Sequence, residues 1–146
     1  MKFSDFKEGM IIRHDPIVIE QDEMLAFAEK YDPQWFHTDV DQAKEGRWEG
    51  LIGSGWLTCG LAMRMAVEAA LKDSEVFGSP GLENLRWVVP VRPGDALRLE
   101  ITVDSVRKSA SRPDLGILLW TWRLYNQRDE LVLELQATNL FDLAAK

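Results

Sequence analysis

The 146-residue chain carries 17 basic against 24 acidic residues, a net charge of −7, with 46% apolar residues and one cysteine, Cys59. That length fits a single domain, residues 1–146, since a chain of this size typically buries roughly 68–70% of its extended surface. No Lys/Arg run marks a nucleic-acid partner, no second thiol allows a disulfide or a thiolate metal site, and no apolar stretch has the length of a membrane span or a secretory core; a cytoplasmic location is the default.

Ile11 to Ile19 reads as an extended segment, with Pro16 marking an edge or irregular strand. His14, next to Asp15 and Pro16, is expected to be solvated. From Asp22 to Lys30 the apolar residues Met24, Leu25, Phe27 and Ala28, with Tyr31 beyond, recur at three- and four-residue spacing and predict a helix with one buried face. Pro33 ends it, because the residue before a proline is pushed out of helical dihedrals. Asp32 is thereby held at a helix exit.

Asp32 and His37 stand five residues apart in Tyr31-Asp-Pro-Gln-Trp-Phe-His-Thr-Asp39, ahead of the glycine-rich turn Gly53-Ser-Gly55. A carboxylate and an imidazole on one short loop can converge on the same water or substrate atom, and histidine titrates near neutrality without perturbation. The competing reading is a helix-terminating Asp-Pro turn followed by a surface or capping histidine.

Ser54 to Lys72 predicts the central helix. After its first turn the polar residues are essentially Arg64, Glu68 and Lys72, and apolar residues occupy nearly every other bearing. A helix apolar almost all round is buried almost all round. Strands follow. Leu85 to Val91 is rich in β-branched and aromatic residues, and Val91-Arg-Pro-Gly-Asp95 supplies a turn at which the chain reverses. Leu97, Leu99, Ile101 and Val103 alternate with polar residues. Gly116 to Tyr125 is the next strand, with Leu118, Trp120, Trp122 and Leu124 on one face as core or interface packing. A turn over Asn126 to Glu130 and a strand over Leu131 to Phe141 complete the meander.

Four strands and one buried helix are accommodated together by an antiparallel sheet curved around that helix, an α+β hotdog arrangement. Its edge strands would carry unpaired backbone groups, so a homodimer or an assembly of dimers is expected.

The order of features resembles the MaoC-like dehydratase family of hotdog proteins, which includes the (R)-specific enoyl-CoA hydratases. The likeness rests on Phe27-Ala28 in a helix, Asp32 through His37-Thr38-Asp39, Gly50-Leu-Ile-Gly-Ser-Gly-Trp56 opening the central helix, and Val91-Arg-Pro-Gly-Asp95, and it covers nearly the whole chain. The family's hydratase motif runs Asp, any residue, Asn, Pro, any residue, His. Asp32 and His37 match it, while Gln34 replaces the Asn and Trp35 the Pro.

What the resemblance implies is reversible addition of water across the 2,3 double bond of an acyl-CoA thioester, with Asp32 and His37 holding the water. CoA enters only as part of the substrate; no other cofactor and no metal is implied. The start of a buried helix offers backbone N–H groups and the positive end of its dipole to the thioester oxygen. Gly55 is the candidate donor, its missing side chain letting the carbonyl approach. Ser54 has two readings, a helix N-cap or a substrate contact. Trp35, Trp48 and Trp56 flank this region as candidate walls of an acyl tunnel, and Arg86, Arg92 and Lys108 are candidate partners for a CoA nucleotide. A hotdog thioesterase and a non-catalytic acyl-thioester-binding module are the competing functions.

Overall fold

The computed structural model describes residues 1–144. Strands β1 (Ile11–Val18), β2 (Val76–Trp87), β3 (Ala96–Lys108), β4 (Leu115–Tyr125) and β5 (Leu131–Asp142) form one sheet in the order β1-β3-β4-β5-β2. Every neighbouring pair is antiparallel. Helix α1 spans Gln21–Tyr31, short helices α2 and α3 span Trp35–Thr38 and Val40–Glu45, and α4 spans Gly55–Ala66 before passing into a π-helical turn at Val67–Leu71.

Alternation along β3, β4 and β5 builds the inner face. The register sets Leu99 against Leu124, Ile101 against Trp122 and Val103 against Trp120. On the other side Leu124 meets Leu133, Trp122 meets Leu135 and Trp120 meets Ala137. All of these side chains are buried. Helix α4 lies on this face with Leu57, Leu61, Ala62, Met65 and Ala66 buried at helical spacing, in one apolar cluster with the strands. Full burial of each large aliphatic side chain contributes about 1.5–3 kcal/mol. This is the expected hotdog arrangement, with the N-terminal edge segment joining the four later strands as β1.

Two expectations are corrected. The segment Leu85 to Val91 is not itself a strand: β2 begins at Val76 and stops at Trp87, and Val88–Val91 continues as irregular chain. Nor does the turn at Val91–Asp95 make a hairpin, because β2 pairs with β5 at one edge while β3 pairs with β1 and β4. Residues 88–95 therefore cross between non-adjacent strands, past the N-terminal end of α4, where the Gly53 N–H bonds the Val91 carbonyl at 2.9 Å. Gly94 turns the chain at φ +85. The buried Asp95 carboxylate secures the turn by accepting from Arg92 N at 2.8 Å and Gln127 Nε2 at 2.9 Å.

The central helix is also less enclosed than its composition predicts. Trp56, Met63 and Val67 are 60%, 41% and 37% exposed along one flank. A five-stranded sheet covers only part of the helix circumference, and the apolar remainder faces outward beside edge strand β2.

Candidate active site

The exit of α1 places the first side chain. Asp32 caps that helix, its N–H bonded to the Ala28 carbonyl at 2.9 Å, and non-helical dihedrals of φ −151 and ψ 66 before Pro33 turn the chain away. One further turn of helix, α2, then presents His37. Its imidazole is buried, with Nδ1 2.8 Å from the Ile52 carbonyl. A carbonyl only accepts, so Nδ1 carries the hydrogen and Nε2 is left to face the carboxylate. His37 Nε2 and Asp32 Oδ2 are 3.3 Å apart.

Two further donors fix the carboxylate. Ser54 Oγ donates to Asp32 Oδ2 at 2.7 Å, and Gln34 Nε2 donates to Oδ1 at 2.8 Å. Burial by itself pushes the Asp32 carboxyl up, but the hydrogen bonds from Ser54 and Gln34, with the charge of His37 when its ring is protonated, more than offset it and hold the group below its ordinary value. Ser54 stands at the N-cap position of α4, and its carbonyl accepts from Leu57 N at 3.1 Å and Thr58 N at 3.2 Å. Its hydroxyl makes no cap hydrogen bond. The side chain is committed to Asp32 instead, a role neither sequence-based reading anticipated.

Asp32, His37 and Gly55 line one cavity of about 380 Å³. Among the described residues the amides of Gly55 and Trp56, the first two of α4, have no hydrogen-bond partner. They stand at the positive end of a twelve-residue helix. The arrangement combines an acceptor carboxylate, an imidazole nitrogen facing it, and unpaired N–H donors at a helix start. Chemically it can hold a water, exchange protons with it and stabilise developing negative charge on an oxygen.

The model of the MaoC like domain matches residues 5–115. The chain belongs to the MaoC-like domain family. It is similar to the MaoC-like dehydratase from Rhodospirillum rubrum, at 34% identity over 95% of this chain and 94% of that chain, with a TM-score of 0.87. The uncharacterized protein YdeM of Bacillus subtilis (strain 168) is 28% identical over 134 residues, 92% of this chain and 94% of that protein. The (R)-hydratase from A. caviae involved in PHA biosynthesis shares the fold at 24% identity and a TM-score of 0.69, over 92% of this chain and 96% of that chain.

In this MaoC-like chain the departure at Gln34 still delivers a side-chain amide, directed at the Asp32 carboxylate. The indoles divide. Trp48 and Trp56 line the cavity, whereas Trp35 does not; it packs edge-on to Phe36 and close over Gly46. Trp120 and Trp122 are buried in the sheet core. Of the three proposed cations, Arg86 is bound to Glu134 at 2.7 Å and Lys108 lies at the far end of β3 opposite Gly116. Arg92 follows cavity residue Val91 and reaches toward Gly50. His14 is half-buried and held, with Nε2 2.8 Å from Glu68 Oε2. Among the described residues no group of three or more His, Cys, Asp or Glu is placed to hold a metal ion, and no helix is long and apolar enough to cross a membrane.

Sequence reasoning missed Trp87, Val88 to Pro90 and Val132, all of which line the cavity. Val132 enters through a bulge: β4 pairs Tyr125 with Leu131 and Leu124 with Leu133, leaving the residue between without a partner on β4. Three successive apolar residues at the start of this strand, Leu131-Val132-Leu133, were the available signal.

Proposed function

We propose that the protein adds water reversibly across the 2,3 double bond of an enoyl thioester, and so removes it from the 3-hydroxyacyl thioester. The reading is carried by one observation: the Asp32 carboxylate and His37 Nε2, 3.3 Å apart, line one cavity together with Gly55 at the start of α4. A water held between the two side chains loses a proton to the pair while its oxygen bonds to C3. The C2=C3 electron pair moves toward the thioester carbonyl, where the Gly55 amide binds the developing oxyanion. A proton delivered from the same pair to C2 completes the addition. Ser54 and Gln34 keep both carboxylate oxygens occupied as acceptors, which supports an anionic Asp32 at neutral pH.

The acyl carrier is proposed to be CoA, with Arg92, which follows cavity residue Val91, as its cationic partner. The working form is proposed to be a homodimer or an assembly of dimers, joined along β2 and the uncovered flank of α4. Purified protein mixed with crotonyl-CoA should bleach the enoyl-thioester absorbance. Asp32→Asn and His37→Ala should each lower the rate by about 10²–10⁴-fold, the usual worth of a positioned acid or base. Thiol release in the same cuvette would establish a thioesterase instead. Binding without turnover across a panel of enoyl thioesters would establish a binding module.

A further inference from the structure

Trp87, the last residue of β2, acts twice on the first turn of α4. Its indole N–H donates to the Gly55 carbonyl at 2.8 Å. Its ring also fills the space beside Gly55, where a Cβ would stand 2.5 Å from Nε1 and 2.8 Å from Cδ2. Gly55 is helical and is not among the glycines with positive φ. Backbone conformation therefore asks for no glycine at this position, and the indole does. Trp87 is itself fixed by pairing with Leu133 on β5 and by Trp56, whose ring meets it edge-on at 5.3 Å.

The Gly55 carbonyl and the Trp56 N–H belong to one peptide unit. A donor on that carbonyl fixes the plane of the peptide and polarises the Trp56 N–H, the second unpaired amide of the helix start, directly after the Gly55 amide assigned to the oxyanion. We infer that Trp87 is a positioning residue for the anion-binding end of α4, and that residue 55 is glycine in order to seat this indole rather than to admit substrate. The inference rests on the hydratase reading for its catalytic half, while its packing half stands on geometry alone.

Four variants test it: Trp87→Phe, Trp87→Ala, Gly55→Ala and the double variant Gly55→Ala/Trp87→Ala. With crotonyl-CoA, Trp87→Phe keeps a ring and loses the N–H. It should lower kcat about 3- to 10-fold, the rate equivalent of one neutral hydrogen bond, and change KM by less than about twofold. Gly55→Ala should lower kcat by about 100-fold or more as the donor turn is displaced, and removing the indole should return at least about tenfold of that loss in the double variant. An unchanged kcat in Trp87→Phe overturns the positioning role. A double variant as impaired as the product of the two single losses overturns the seating role. If the unmodified protein hydrates no enoyl thioester, the functional reading fails separately, and thermal melts then decide the packing half. A double variant that melts above Gly55→Ala supports the seating of the indole, and one that melts at or below it overturns that claim.

Discussion

At the scale of single residues, the proposed hydration makes Asp32 the group expected to set the acid side of the pH profile. Burial raises its pKa, and the donors Ser54 and Gln34 with the facing His37 lower it further than burial raises it. A carboxyl whose folded pKa lies below its unfolded value stabilises the native state above the ordinary carboxylate pKa, and that contribution is lost as pH falls through the depressed value. The acid limb of kcat/KM should therefore sit below the ordinary carboxylate range. Ser54→Ala and Gln34→Ala each remove a donor, so each should move that limb to higher pH. Ser54, fully buried and 2.7 Å from Oδ2, should give the larger shift, and exposed Gln34 the smaller. A pH profile for the three proteins measures this directly. Limbs that coincide would mean that the carboxylate is held by something other than these two donors.

At the scale of elements, legibility followed sequence separation. Asp32 and His37 were visible because a helix exit and a five-residue spacing are local, and strands β3, β4 and β5 were visible because their alternation is clean. Strand β2 was hidden by Gly78, Pro80 and Gly81, which read as breakers; in the fold they coincide with register shifts against β5 that an edge strand tolerates. Its final residue, Trp87, meets Gly55 across 32 positions of sequence, and Ser54 meets Asp32 across 22. No periodicity encodes such a meeting. The turn at Gly94 was legible for a physical reason, since its φ of +85 is one that glycine adopts freely. That turn anchors the crossover forming one cavity wall, and the Gly94 N–H also bonds the Ile19 carbonyl at 2.8 Å. Gly94→Ala should therefore cost about 1–2 kcal/mol of unfolding free energy, read from a urea titration, because a side chain at this φ is strained. A change within error would show that the turn relaxes without loss.

At the scale of the whole molecule, the sheet has two edges that differ in chemistry. Edge β1 is blunted by Asp15 and Pro16, by a register shift between His14 and Ile17, and by the His14–Glu68 contact to the π-helical turn. Such features discourage strand addition. Edge β2 instead exposes Phe77, Leu82 and Trp87, and the uncovered residues Trp56, Met63 and Val67 of α4 and the turn after it add to the same apolar flank. A second cavity of about 630 Å³, lined by Met63, Val67 and Leu82 among others, opens there. A second copy docked on this flank would pair the open edge, close that cavity and cover the rim of the cavity holding Asp32 and His37, where Trp56 and Trp87 stand. Leu82→Lys places a charge in the proposed contact without touching Asp32, His37 or Gly55. Sedimentation should show two chains for the unmodified protein and one for this variant. The variant should also lose kcat/KM, because the rim formed by Trp56 and Trp87 would be uncovered. An unmodified protein that sediments as a single chain with full activity would remove the dimer from the working form, and the cavity of one chain would then have to be sufficient for catalysis.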